Sequence, residues 1–348
     1  MKIDDLAQKT GEWLRGDGPE SDIVMSSRVR LARNLADYPF MRKCTTKQRT
    51  MIANEVRSAF EQSPIGQEAE FVDVSKLGDL DRLFLMERQL ISHELSDSEG
   101  ARAVILDPNE RYSIMVNEED HLRLQVMNSG FDLEQGWSKI NELDDMLESL
   151  LQFAFTKRFG YLTACPTNLG TGLRVSVMLH LPALVMTKQM DKVFRALSKI
   201  NVAVRGLFGE GSQFTGDFYQ ISNQTTLGKT EQELIARVQE VIPQLIEYER
   251  KAREFLLSDD REELNDLVSR AYGMLKTAKK ISSEETMHYL SKIRLGVHLG
   301  LIEGMKTPML NQLFIHTQPA HLQKIRGRKL SGSDRNTERA NYLHQFLN

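Results

Sequence analysis

The chain has 348 residues, 41% hydrophobic and 27% charged, the balance of an ordinary folded protein with room for one large domain and a smaller one, and far from the disordered or fibrous classes. A net charge of −3 gives no basic field for wholesale nucleic-acid binding, and no run approaches the roughly 18 apolar residues of a membrane span. The opening MKIDDLAQKT lacks the apolar stretch of a signal peptide, and Cys44 and Cys165 lie far apart without a CxxC or Cys/His cluster, so we expect a cytoplasmic protein without a disulfide framework or structural zinc.

In chain order, DIVMS leads into the arginine-bearing SSRVRLAR (26–33), and RAVILD (102–107), YSIMVN (112–117) and HLRLQVM (121–127) follow as short runs rich in β-branched and aliphatic residues. Ile140, Leu143, Leu147, Leu150 and Ala154 recur at steps of three and four, the stripe of an amphipathic helix. LRVSVMLHL (173–181) and DFYQIS (217–222) read as further strands. The short turns between strands favour antiparallel pairing, so the fold class is α+β.

After about residue 230 nearly everything reads as helix, which places a domain boundary there and divides the chain into 1–230 and 231–348. Thr230 with Glu233 forms a capping box. Leu234, Val238, Val241, Leu245, Tyr248, Ala252 and Phe255 then follow a 4-3 spacing that suits packing on the same domain and leaves dimerisation open; Pro243 should kink this helix. Further helices are expected over 261–277 and, after the capping box of Ser282 with Glu285, over 283–299.

Four stretches carry chemistry. In SSRVRLAR, Arg28 and Arg30 stand two apart on a strand and share a face, an arrangement suited to bidentate grip on a polyphosphate. In VNEEDHLR, Glu118, Glu119 and Asp120 crowd a tight turn just before Arg123, where a carboxylate could meet a cationic acceptor. In CPTNLGTGLR, Cys165 lies in a polar, turn-forming loop ahead of Arg174, the setting of an activated thiolate. Arg205 precedes Gly206, Gly209, Glu210 and Gly211, glycines that permit close backbone approach to a ligand. NQTTLGKT (223–230) nearly fits a phosphate loop, but Asn223 replaces its first glycine and no acidic strand follows. Gly228, Lys229 and Thr230 are therefore read as a turn into the helix cap.

Taken together and in this order, SSRVRLAR, NEEDHLR, CPTNLGTGLR, RG with GEGS, and ISN resemble the catalytic domain of the phosphagen (guanidino) kinase family over about residues 20–230. The resemblance implies a glutamine-synthetase-like antiparallel β-sheet flanked by helices, followed here by an all-helical C-terminal domain. It implies ATP and Mg²⁺ as cofactors, with nucleotide held by Ser26, Ser27, Arg28, Val29 and Arg30, by Arg123, by Arg174, Val175, Ser176, Val177 and Met178, and by Arg205, Gly206, Leu207, Phe208 and Gly209. Five converging arginines would stabilise the planar, highly anionic phosphoryl group in flight. Glu119 and Glu210 match the family's guanidinium-gripping glutamates and Cys165 its reactive cysteine, with an electrostatic and positioning role; no protein side chain is implied as a direct metal ligand.

The metabolite kinases of the family carry a helical domain ahead of the SSRVR motif, whereas here the motif begins at Ser26, and the extra helical C-terminus resembles the protein-arginine kinase (McsB) branch. DRNTERANYL matches that branch's phosphoarginine-binding motif at Arg335, Arg339 and Ala340, with Asn336 in place of an aspartate; Gln89 stands where the branch has a histidine near the nucleotide. The branch implies proteins with exposed arginines as substrates, a Clp ATPase or protease and a zinc-containing adaptor as partners, a homodimer, and a place in stress-related protein quality control. A kinase for free arginine or another small guanidine, and an inactive phosphoarginine-binding adaptor, are the alternative readings.

Overall fold

From Arg28 to Leu31 charged and apolar residues alternate, and an extended chain sends them to opposite faces. The computed structural model of the protein describes residues 3–206 and 215–347 and builds its sheet around that stretch. The first half runs β1 (Val24–Arg33), α1 (Thr46–Gln62), β2 (Glu70–Asp73), α2 (Asp79–Glu87), α3 (His93–Asp97), β3 (Ala103–Leu106), β4 (Tyr112–Val116), β5 (Leu122–Ser129) and α4 (Leu133–Glu148). A small hairpin, β6 (Phe155–Thr156) and β7 (Gly160–Tyr161), leads to β8 (Leu173–His180), α5 (Pro182–Met186), α6 (Met190–Lys199), β9 (Val202–Arg205) and β10 (Phe218–Asn223). Helices follow: α7 (Glu231–Asp259), α8 (Arg261–Thr277), α9 (Ser283–His298), α10 (Thr307–His316), α11 (Pro319–Arg326) and α12 (Gly332–Leu347).

The eight-stranded sheet has the order β2-β3-β4-β5-β1-β8-β10-β9, and its neighbouring strands pair antiparallel. Val29, Leu31, Leu124, Val126, Val175 and Val177 turn to one face and share a single apolar cluster with residues of α1 and α4 to α7. Each such side chain contributes on the order of 1.5–3 kcal/mol when fully buried, which fixes the register and leaves the alternate positions for the opposite face. There Arg30 lies between its cross-strand partners Gln125 and Arg174. At one end of this second face Met25, Met127, Met178 and Phe218 pack with Trp13, Met287 and Phe314; the middle stays open. A separate core in the C-terminal region joins Leu275, Ile293, Leu313 and Leu343.

Several expectations shift. Helix α4 ends at Glu148, so Leu150 is exposed and Ala154 lies in extended chain whose N–H donates to the Asn34 carbonyl at 2.7 Å; Leu151 and Phe153 are buried by strand-like alternation that mimics a continued stripe. Helix α7 starts at its expected capping box and is continuous through Pro243, yet Tyr248 and Phe255 of the 4-3 stripe are exposed while Ile242, Ile246, Glu249 and Arg253 are buried. A straight helix drifts about 20° per heptad, so the face laid on the sheet follows a 3.6-residue period. Because α7 shares the core of the sheet, packing does not change character at residue 230. The edge strands β2 and β9 have no counterpart among the expected strands.

Candidate active site

Alternation on β1, β5 and β8 sends Arg28, Arg30, Arg123 and Arg174 to the open middle of the sheet, and β9 adds Arg205 at its edge. All five line one cleft of about 1030 Å³, with Glu118, Glu119, Asp120 and Cys165 in the same wall. Arg28 donates from Nη1 to Gln89 Oε1 at 3.0 Å, and Gln89, held at φ +62° after α2, accepts at its carbonyl from Gln125 Nε2 at 2.6 Å. Arg28 is pushed down to about 9 by burial and then by Arg123, Arg174 and Arg205. Arg30 lies well below the ordinary guanidinium range for the same reasons, and its Nε has no hydrogen-bond partner.

Glu118 opposes this charge through a direct ion pair with Arg123. Burial by itself would raise its carboxyl, but Arg123, whose Nη1 is 2.6 Å away, together with a hydrogen bond from Ser92, carries it below the usual range. Glu119, exposed on the same turn, is shifted the other way, first by partial burial and then by Asp120 and Glu118, so it holds a proton more readily than an ordinary glutamate. Asp120 is buried: one oxygen accepts from Asn34 Nδ2 at 2.6 Å and from the Ala164 N–H at 2.7 Å. That oxygen ties the Glu119 turn to the loop bearing Cys165, whose Sγ lies 3.0 Å from Thr167 Oγ1. Gly172, at φ +68°, closes the loop where a Cβ would sit 2.6 Å from the Ala32 carbonyl.

Other expected residues are placed differently. Ser26, Ser176 and Met178 line a small recess beside the cleft with Trp13 and Met127. Val29, Val175 and Val177 face the opposite side of the sheet in the apolar core, and Ser27 is spent on the Gly130 carbonyl and the Asp132 N–H. Strand alternation therefore removes these four from side-chain contact with a ligand in the cleft. Gly206 is buried next to Arg205; Leu207, Phe208, Gly209 and Glu210 lie outside the described residues. Arg335 and Arg339 do not form an open pair: Arg339 is 1% exposed and donates to the carbonyls of Thr317 and Ile281 and to Asn336 Oδ1, while Arg335 donates to the Leu330 carbonyl. The phosphate-loop look-alike is a turn, with Thr226 Oγ1 donating to the Leu169 carbonyl and Thr230 capping α7.

The sequence reading missed Gln125, Gln220, Ser92 and Glu94 in the cleft. Strand alternation with Arg123 marks Gln125; no local signal marks the others. Concentrated cationic charge faced by a high-lying carboxylate is the arrangement a phosphotransferase needs for an anionic donor and a basic acceptor.

Comparison with known proteins agrees. Residues 51–252 match the ATP:guanido phosphotransferase C-terminal catalytic domain, and residues 261–348 match the protein-arginine kinase McsB C-terminal domain. A protein-arginine kinase of Halothermothrix orenii is 45% identical over 100% of both chains, and one of Symbiobacterium thermophilum 46% identical over 98% of each. Among solved structures, the duplicated taurocyamine kinase of Schistosoma mansoni superposes with a TM-score of 0.62 at 24% identity, covering 72% of this chain and 36% of that one. Lombricine kinase superposes at 0.59 and 24% identity, covering 70% and 71%; both likenesses speak for the fold. The chain belongs to the ATP:guanido phosphotransferase family, in its protein-arginine kinase branch.

Proposed function

We propose that the protein transfers the γ-phosphoryl group of MgATP to the guanidinium of arginine side chains in proteins. Its relatives at 45–46% identity over essentially their whole length are protein-arginine kinases. The observation that carries the reading is the set of five arginines in one cleft, with Arg28 and Arg30 depressed by burial and then by the charge of neighbouring arginines. Such a group is costly until a polyanion enters, so the free protein stores the electrostatic preference that the donor satisfies.

In this reading Arg28, Arg30, Arg123, Arg174 and Arg205 orient the phosphates and neutralise charge as the bond from the γ-phosphorus to the bridging oxygen breaks. The acceptor guanidinium is a poor nucleophile because its lone pairs are delocalised and its pKa is about 12.5–13.8. Glu119 takes the proton as the nitrogen–phosphorus bond forms, and its raised affinity for a proton favours that step. By family resemblance, Cys165 and Glu210 flank the acceptor and align the nitrogen with the phosphorus. Asp120 and Glu118 are already engaged by Asn34, Ala164, Arg123 and Ser92, which suits a magnesium ion held by phosphate oxygens and water, where it would screen phosphate charge.

By the same kinship we propose a dimeric, cytoplasmic enzyme that works with a zinc-containing adaptor and marks proteins for a Clp protease; no helix among the described residues is long and apolar enough to cross a membrane. For phosphoarginine contact in the C-terminal domain, Arg335 is the member we favour, with buried Arg339 building the wall behind it. The deciding experiment is mass spectrometry of a protein incubated with the enzyme and MgATP, handled away from acid. Phosphoarginine on the protein is the expected result; phosphorylation of free arginine alone would replace the proposal with a metabolite kinase, and no transfer at all would leave an adaptor.

A further inference from the structure

Three large apolar side chains on segments joined to the loop that carries Cys165 are exposed. Phe155 is 56%, Phe159 39% and Leu227 52% exposed. Backbone pairing ties them to the cleft: Phe155 pairs with Tyr161 across the small hairpin, Tyr161 pairs in turn with Gly170, and Leu227 lies against Gly170, where an added Cβ would be 3.1 Å from Leu227 Cα. The loop running from Cys165 to Gly172 lines the cleft on its inner side. At about 4.8 Å per paired strand, Phe155 stands roughly 10 Å from Gly170, a span of about three residues of extended chain. The hairpin tip is also cationic, with Lys157 and Arg158 exposed and the Arg158 guanidinium 4.8 Å from the Phe159 ring.

We infer that this hairpin and Leu227 form a docking surface for the substrate polypeptide, gripping an apolar residue and a nearby acidic residue a few positions from the arginine being modified. The inference rests on the reading that a protein arginine is the acceptor beside Glu119 and Cys165. A polypeptide acceptor must continue past the wall of the cleft on at least one side, and this wall offers exposed large apolar side chains, a feature of interaction sites. An apolar residue is available for such a grip only in an unfolded or locally opened segment, so the surface selects unfolded protein. Lys157 and Arg158 complement acidic residues and repel lysine-rich segments. Two phenylalanines on one small hairpin, with Leu227 from a separate segment, suit a peptide segment and fall well short of the roughly 800 Å² per partner of a stable dimer.

The test compares the full-length enzyme with the double variant Phe155→Ser, Phe159→Ser and with the conservative double variant Phe155→Leu, Phe159→Leu. Three acceptors are used with MgATP: a reduced, carboxymethylated protein, a peptide with one arginine flanked by leucine and aspartate, and a glycine-serine peptide with one arginine. The wild type should prefer the first two. The serine variant should lose about tenfold in kcat/KM on those two, keep its rate on the glycine-serine peptide and its KM for ATP, and unfold at the wild-type temperature; the leucine variant should regain the preference. Equal wild-type rates on both peptides, an equal loss on both, or an altered oligomeric state with unchanged rates would overturn the docking surface. Transfer by the wild type to none of the three would remove the acceptor reading, and this inference with it.

Discussion

Two sets of buried arginines in this protein are treated in opposite ways. Arg33 is matched to Asp144 at 2.6 Å, to the carbonyls of Ala32 and Thr171, and to the Tyr161 ring, whose centroid is 3.6 Å from its guanidinium carbon. Arg253 pairs with Glu249 at 2.8 Å, and Arg339 donates to two carbonyls. In the cleft, by contrast, Arg28 has a neutral glutamine as its side-chain partner, Arg30 has an unsatisfied Nε, and the neighbours that shift both are chiefly other arginines. The difference teaches how to read such residues: a charge compensated from within is architecture, and one surrounded by its own kind awaits a ligand of opposite sign.

The comparison breaks most sharply at Arg30. Arg30→Ala should cost on the order of 10²–10³ in kcat/KM for ATP while leaving the unliganded protein as stable as the wild type or more so, because a like charge has gone. Steady-state kinetics beside a thermal melt would check both halves, and a large drop in stability would place Arg30 with the architectural set. Glu119→Gln should lower turnover at least about a hundredfold with ATP binding intact; in the wild type the acid limb of the rate profile should sit above the range of an ordinary glutamate, since the carboxylate form is the one that works and its pKa is raised.

The architectural set should behave in the reverse sense. Arg339→Ala leaves the Thr317 and Ile281 carbonyls without their donor and should destabilise the fold by about 1–3 kcal/mol, read from a denaturant midpoint, with catalysis by the folded fraction retained. Arg335→Ala should leave that midpoint within roughly 0.5 kcal/mol of wild type.

A further effect concerns the histidines packed near Arg88. His316 is lowered to about 4 and His321 to about 2, by burial first and then by Arg88. Their native forms stay neutral while the unfolded chain takes up protons below about 6.5, so the stability they contribute is full above that value and is lost as pH falls toward 4. His316→Gln should flatten the slope of unfolding free energy against pH over that interval by up to about 1.4 kcal/mol per unit; an unchanged slope would mean that His316 titrates normally in the fold.

Features that depend on neighbours in the chain were open to reading without a structure. The capping boxes of Thr230 with Glu233 and Ser282 with Glu285 form as expected, because each closes within one helical turn. The alternation in β1, β5 and β8 puts Arg28, Arg30, Arg123 and Arg174 on one face, and the ordered motifs disclosed the family. Glu94 and Ser92 gave no such sign, since their place in the cleft depends on how α3 packs. Asp120 was visible as part of the acidic turn, but its bond to Ala164, which spans 44 positions, was not.

The amino-acid order by itself settled which residue types stand at which alternation phase, and hence which arginines could share a face. Tertiary structure alone decided which of those arginines are compensated among the described residues: Arg33 has the same strand and motif as Arg28, but α4 brings Asp144 to Arg33, whereas Arg28 meets the neutral side chain of Gln89. Charge compensation is a matter of distance in space, and because the partners come from segments far apart in the chain, only the packed fold could bring them within a few ångströms.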